Sequence, residues 1–352
     1  MTAPHELPSL LWVGKAPVNG GGDEIYDRKV LAVLGRHYRI TRFAVPIQPI
    51  VQQVRALLSG VPHPRFRYAN RSTGRLLATA AKRHDYVVIS HEAFEYFGRY
   101  IDRPITLVIH NVAHDILNQL YPARLFGRVA AAQSQRWECD LYARDAIRLV
   151  TLSRRDQALV QSLAPGRPVV IACPGLPPLT RLTNRAVIAE LVLSGSYDWH
   201  PKRRDLIALA AEVAVQREIL AWRHDLPLPE MPATAPIASV SRQIDAADYG
   251  QGIRFGVIPD RFLGGFKLKA TYFIANNCVV LSRCDIRAEF AGLPFADQFV
   301  RYTPHIADID AAIAELGAAD GETVCDQWLI FQAACAERFS WQSAANAVCG
   351  SD

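Results

Sequence analysis

From residue 10 onward, short aliphatic and β-branched runs alternate with longer stretches whose apolar residues recur at helical spacing. LLWVG (10–14), YRITRFAV (38–45), YVVIS (86–90), ITLVIHN (105–111), RLVTLS (148–153) and VVIAC (169–173) have the length and composition of buried strands. Between them the spacing predicts helices over 23–36, 47–59, 72–83 and 125–146. Strand followed by helix, repeated, implies a parallel sheet covered on both faces. PGLPPLTRL (174–182) then interrupts the alternation with three prolines and a glycine, which predicts an interdomain linker over 174–186. A second set follows, with strands at ELVLSGS (190–196), IASVS (237–241), IRFGVIP (253–259), CVVLS (278–282) and QFVRY (298–302). Helices are expected over 203–222, 307–317, 321–337 and 340–349, and the proline-rich 224–236 reads as a loop. The expected organisation is two doubly wound α/β domains facing each other across a cleft, over 1–173 and 187–337. In such sheets ligands bind beyond the carboxyl ends of the strands.

Composition narrows the class. The chain has 352 residues, half of them hydrophobic and 21% charged, as in a soluble globular protein. No uncharged apolar run approaches the roughly 20 residues of a membrane span. The opening MTAPHELPSLLWVGKAP has no basic region followed by a long apolar core, so a cytoplasmic protein without a signal peptide is expected. Seven scattered cysteines with no CxxC pair point to reduced thiols rather than a disulfide framework or structural zinc. The net charge of +5 is uneven. Residues 1–170 carry 23 Lys and Arg against 13 Asp and Glu, and the remainder carries 16 against 21. A basic first half suits an anionic partner such as a lipid surface. Nucleic acid is not expected, because the arginines are dispersed and not interleaved with aromatics.

Four strand-to-helix stretches carry candidate chemistry. GGFKLKATYF (264–273) predicts a helix starting near Gly265, with Lys267 and Lys269 in its first turn. A helix N-terminus is already partly positive, so cations there imply a bound anion. SGSYDWHPKRRDL (194–206) repeats the arrangement, with a glycine turn at Gly195 and Ser196 and with Lys202, Arg203 and Arg204 at the helix start; a solvated basic cluster is the plain alternative. NGGGDEIYDRKVL (19–31) lets the backbone at Gly21 and Gly22 approach a ligand, with Asp23 at the helix start; a simple tight turn is its alternative. IHNVAHD (109–115) places His110 at a strand end, where it can position or deprotonate a hydroxyl, or serve only as a hydrogen-bonded structural group. His114, four residues on, has no third partner in view for a metal.

In this order, these stretches resemble the GT-B glycosyltransferases, most closely glycosyltransferase family 4. LVTLSRRDQALV (149–160) is similar to that family's S-x-x-D turn, with Ser153 and Asp156. GGFKLKATYFIANNCVVLS resembles its donor-binding helix, and RFSWQSAA (338–345) its closing helix. The resemblance spans nearly the whole chain. It implies a nucleotide-sugar donor held by the second domain, an acceptor held by the first, and a terminal helix over 338–352 that returns to the first domain. It implies a retaining transferase that uses no metal or other cofactor. Catalytic roles fall to His110 and Lys269. Donor contacts fall to Gly195, Ser196, Lys202, Gly264, Gly265, Lys267, Lys269 and Tyr272, and the acceptor side to Gly21, Gly22, Asp23, His91 and Asn111. The implied setting is surface polysaccharide or glycolipid synthesis, in the cytoplasm or peripherally at the inner membrane face, with a carbohydrate or lipid-linked acceptor. The family's Glu-x7-Glu pair is replaced by Gly264 and Tyr272, and Glu289 is a possible substitute carboxylate. A non-catalytic binding or scaffolding subunit of the same fold is the alternative this departure leaves open.

Overall fold

The computed structural model of the chain describes residues 7–15, 21–195, 197–216, 222–224, 242–243 and 247–350. The chain divides into two compact units. The first comprises Met1–Pro174, Gly264–Phe266 and Ser340–Asp352; the second comprises Gly175–Leu263 and Lys267–Phe339.

The first unit is built on β1 (Ser9–Lys15), β2 (Arg39–Val45), β3 (Tyr86–Ser90), β4 (Ile105–Ile109), β5 (Ile147–Thr151) and β6 (Val169–Ile171). All six are parallel, in the order β2-β1-β3-β4-β5-β6. Leu10, Leu11, Trp12 and Val13 are all buried, as expected for a strand covered on both faces. The order reverses between β1 and β3, which opens a crevice at their carboxyl ends. Helix α1 (Gly22–Leu34) follows β1, and the last helix of the chain, α13 (Trp341–Cys349), packs on the same unit. The rings of Tyr26 and Trp341 lie 6.0 Å apart, and Arg148 Nη2 donates to the Ala347 carbonyl at 2.7 Å.

The second unit holds β7 (Val187–Leu193), β8 (Trp222–His224), β9 (Arg242–Gln243), β10 (Ile253–Ile258), β11 (Cys278–Ser282) and β12 (Val300–Tyr302), parallel in the order β12-β11-β10-β7-β8-β9. Its switch point lies between β7 and β10. Asn277, buried at the start of β11, ties this unit together. Its amide donates to the Thr180 and Tyr249 carbonyls at 3.0 Å each, and its oxygen accepts from Trp328 Nε1 at 3.1 Å.

Three local expectations are corrected. The helix expected near Gly265 is α8 (Leu268–Ala275), with Lys267 as its N-cap residue. Gly265 has φ +60°, outside the helical region, so the helix starts three residues later and only Lys269 lies in its first turn. QFVRY is helical through Phe299, and only Val300–Tyr302 is extended; the turn is set at Phe295, which has φ +57°. The helix expected over 203–222 is α7 (His200–Gln216), and Trp222 begins β8. The strand expected at 237–241 lies outside the described residues, as does the proline-rich segment from 225 onward.

Candidate functional site

At the first unit's switch point, α1 carries Asp23 in its opening turn and Asp27 one turn later, on the same face. Asp23 pairs with Lys15 at the end of β1 and lies 3.6 Å from His91 Nε2. Burial opposes the Asp23 carboxylate, but His91 and Lys15 outweigh it and hold the group below the usual carboxylate range. Asp27 is buried deeper. Its oxygens accept from Trp12 Nε1 at 3.2 Å and from Ser90 Oγ at 2.5 Å, and Ser90 Oγ lies 2.9 Å from His110 Nε2.

Hydrogen-bond accounting fixes the state of His110. Burial, with His91 beside it, lowers its pKa to about 3, so the ring is neutral at pH 7. Ser90 spends its single proton on Asp27, so it can only accept from His110. The His110 proton therefore sits on Nε2, and Nδ1 keeps its lone pair. Burial also raises Asp27 to about 6 and Glu92 to about 7, the latter despite a bond from Asn111 Nδ2 at 3.2 Å. His91, lowered to about 3 by burial, holds φ +94° and accepts from the Ala93 amide at 3.1 Å. Its ring lies 5.4 Å from that of His110. The first unit thus gathers Asp23, His91, His110 and Asn111 into one group, with Gly21 at the N-cap of α1 and Gly22 as its first residue.

Gly264 and Gly265, assigned by resemblance to the donor side, pack with the first unit. A Cβ on Gly265 would lie 2.2 Å from the His110 carbonyl oxygen, and one on Gly264 would lie 2.0 Å from Ile116 Cδ1. Glycine at 265 is therefore required twice, by its left-handed backbone and by this approach. His114 has a structural bond. Its Nδ1 lies 2.7 Å from Glu138 Oε2, and Glu138 Oε1 accepts from the Ala113 amide at 2.8 Å, at the start of α4 (Ala113–Leu120). Arg65 joins the same buried group through Glu138 and Glu95. Ser153 is the N-cap of α6 (Arg154–Leu163), accepting from the Asp156 amide at 3.0 Å.

At the second unit's switch point the chemistry is cationic. Asp260, two residues past β10, is 1% exposed. Its oxygens lie 3.2 Å from Lys267 Nζ and 3.8 Å from Lys269 Nζ. Lys269 Nζ also sits 4.1 Å above the Tyr197 ring and makes no hydrogen bond among the described residues. Burial, reinforced by Lys202 and Lys267, lowers Lys269 to about 8 even with Asp260 nearby. Lys267 is shifted the other way: burial opposes its charge, but Asp260 outweighs burial and raises it. Gly195, at φ +85°, lets the chain pass Lys269; a Cβ there would lie 3.2 Å from Lys269 Cε. Lys202 lies in the first turn of α7, and its charge acts on both Asp260 and Lys269. Tyr272, one turn past Lys269 on α8, lies edge-on to Tyr249 at 6.3 Å. Ser196 lies outside the described residues, and Glu289 is buried on the short helix α9 (Arg287–Phe290).

Sequence reasoning missed Asp260, Asp27, Ser90 and Glu92. Asp27 had a legible signal, four residues after Asp23 on the same helix face. Asp260 follows Pro259 directly after a strand and looks like an ordinary turn residue; only its two lysine partners reveal it.

Solved structures with this architecture cover almost the whole chain. Sucrose-phosphate synthase from Thermosynechococcus elongatus superposes with a TM-score of 0.65 at 12% identity, covering 96% of each chain. Anabaena HepE, solved in complex with UDP and glucose, gives 0.62 at 10% identity, covering 97% of this chain and 98% of its own. The chain has the GT-B fold. WaaG, a glycosyltransferase involved in lipopolysaccharide biosynthesis, gives 0.57 at 13% identity, over 97% of this chain and all of its own. No protein-family model matches the sequence, and no curated protein matches it. The GT-B assignment accordingly rests on the shared fold, and it agrees with the doubly wound α/β reading of the sequence.

Proposed function

We propose that this GT-B chain is a retaining, metal-independent glycosyltransferase that moves a sugar from a nucleotide-sugar donor to a hydroxyl acceptor. The observation that carries the reading is Lys269. It is a buried ammonium with no hydrogen bond among the described residues, at a sheet switch point and in the first turn of a helix with no side-chain cap. Breaking the bond from sugar to phosphate leaves negative charge on the diphosphate. Lys269, Lys267 and the α8 N-terminus supply fixed positive charge to meet it, and no reorganisation is needed as that charge develops. HepE was solved with UDP and UDP-glucose, which supports a nucleoside diphosphate as the ligand class. In the first unit, neutral His110 presents its Nδ1 lone pair to an acceptor hydroxyl or a sugar hydroxyl. Retention of configuration and independence from metal follow from the family 4 resemblance. The basic first half supports a lipid-linked or membrane-side acceptor, in surface polysaccharide or glycolipid synthesis at the inner membrane face.

A thermal-shift screen of nucleoside diphosphates and sugar nucleotides, on wild type and Lys269→Ala, tests the donor seat. A ligand at about 100 times its Kd adds roughly 2.7 kcal/mol of stability. The expected result is a rise with one base family that the variant loses. No rise with any of them on folded wild type rejects the donor assignment and favours a binding or scaffolding subunit.

A further inference from the structure

Helix α2 (Ile50–Leu58) in the first unit has no buried residue. Its apolar residues nevertheless recur at i, i+1, i+4, i+7 and i+8, the spacing of a single helical stripe. That stripe faces outward: Ile50 is 77% exposed and Leu58 82%. A helix that follows this pattern in a globular domain turns the stripe to the core, and here it is turned to solvent.

The stripe continues onto a second element. Helix α5 (Leu125–Tyr142) is tied to the end of α2 by Gln133 Nε2, which donates to the Gly60 carbonyl at 3.3 Å, and by Ser134 Oγ, which donates to the His63 carbonyl at 3.0 Å. Val129 and Phe126 lie four and seven residues before Gln133, on the same side of the helix. Both are exposed, Phe126 at 78%, and Leu125 beside it is equally bare.

The exposed charge of these segments has one sign. From Arg28 to Arg83 the sequence holds twelve Lys and Arg and no Asp or Glu, all of them exposed but Arg65, which is buried against Glu95 and Glu138, and from Ile116 to Trp137 three arginines and again no acid. Arg55 lies on α2 itself. Asn70, which caps α3 (Arg71–Ala81), bonds Gln48 and Gln52, so exposed Arg71 and Arg75 flank α2. Arg124 and Arg128 flank Phe126 and are exposed. A nucleoside diphosphate needs a concave seat for one anion; this surface offers exposed apolar side chains beside many exposed arginines. An interface with another copy of this chain would bring arginines against arginines.

We propose that α2 and the first turns of α5 form the surface through which the protein docks on an anionic lipid bilayer. The apolar side chains enter the headgroup boundary while the arginines meet lipid phosphates. This rests on the membrane-side acceptor reading given above and names the surface that would serve it.

Vesicle co-sedimentation tests it, with no donor present, so the outcome is independent of the nucleotide screen. Wild type is compared on phosphatidylcholine alone and on vesicles with about 30% phosphatidylglycerol, at low and high salt. The expected result is binding to the anionic vesicles only, weakened by salt. Val54→Asp with Leu58→Asp abolishes it, and Arg71→Glu with Arg75→Glu weakens it by on the order of thirtyfold or more. All four positions are exposed, and an unchanged far-UV spectrum and thermal unfolding midpoint establish that each variant folds. Wild-type binding that both variants retain overturns this surface and leaves the membrane-side reading standing. No wild-type binding to anionic vesicles at low salt overturns both. A concentration-dependent dimer that Leu58→Asp dissolves, without vesicle binding, also overturns the proposal.

Discussion

The two switch points sit at equivalent places in two sheets of the same kind, yet they are furnished in opposite ways. In the first unit, burial has pulled charge out of the inner groups, while Asp23 stays ionised beside Lys15. His91 and His110 are neutral, and Asp27 and Glu92 rise toward neutral pH. In the second unit, charge is kept inside the protein, with two lysines beside a carboxylate that is 1% exposed. The first arrangement suits holding and moving protons, because Asp27 and Glu92 can change state at little cost near pH 7. The second suits receiving charge, because its ammoniums are fixed and only partly neutralised. One architecture therefore supports two kinds of chemistry, chosen by the residues in the first turn beyond each strand.

The largest expected effect comes from breaking the second arrangement. Asp260→Ala leaves Lys267 and Lys269 buried without their counterion, and removing one member of such a group costs about 3–5 kcal/mol. Denaturant unfolding measures the loss. Added nucleoside diphosphate is expected to restore more stability to the variant than to wild type, because the ligand supplies the missing negative charge. An equal gain in both proteins would mean that Asp260 and the diphosphate do not share these lysines.

The next effect sharpens the account of the first arrangement. Asp27→Asn keeps the shape but offers Ser90 a donor in place of an acceptor. Ser90 then donates to His110, whose proton moves to Nδ1. Transfer is expected to fall about a hundredfold, within the range for a mispositioned proton-handling group. Imidazole nitrogen shifts in NMR spectra report the tautomer directly. A variant of normal activity, or one with the proton still on Nε2, would show that the Asp27–Ser90 chain does not set the state of His110.

The smallest effect is in pH dependence. Asp27 has a folded pKa raised to about 6 by burial, so the folded protein holds this proton more tightly than the unfolded chain does. Its contribution is greatest below the ordinary carboxylate pKa and is lost as pH rises through about 6. Between pH 5 and pH 8, wild type should lose about 1.4 kcal/mol relative to Asp27→Asn. Parallel unfolding curves of the two proteins measure this difference. The neutral histidines act in the opposite direction on acidification, and they cancel in the comparison.

Much of the architecture was legible because its signal is distributed. Apart from β2, whose RITRFAV is mostly exposed, the strands of the first sheet repeat the same apolar pattern, and the error at any one end is small. The start of α8 was misplaced because Gly265 is not helical, at φ +60°, and its close approach to the His110 carbonyl, 155 residues away in the chain, is invisible in the sequence. QFVRY was misread because Phe299 is buried whether helical or extended, so hydrophobicity cannot choose between them. In the candidate sites the lysines stood out by being on the wrong end of a helix. Asp260 did not, because an acid after a proline is unremarkable until its lysine partners are seen. Ser90 was hidden for a similar reason: a serine ending a strand acquires meaning only through Asp27 and His110 on either side of it.

Helix α2 has a consequence of another kind. An element that lends the core only the half-buried Ala56 is largely released from the core's demands. Substitutions on its outward stripe leave folding largely untouched, since surface changes away from buried groups fall within about 0.5 kcal/mol. Its sequence therefore answers only to whatever it touches. On the docking proposed above, it is the part of this molecule that selection, or an engineer, can rewrite to change where the protein resides without rewriting what it does.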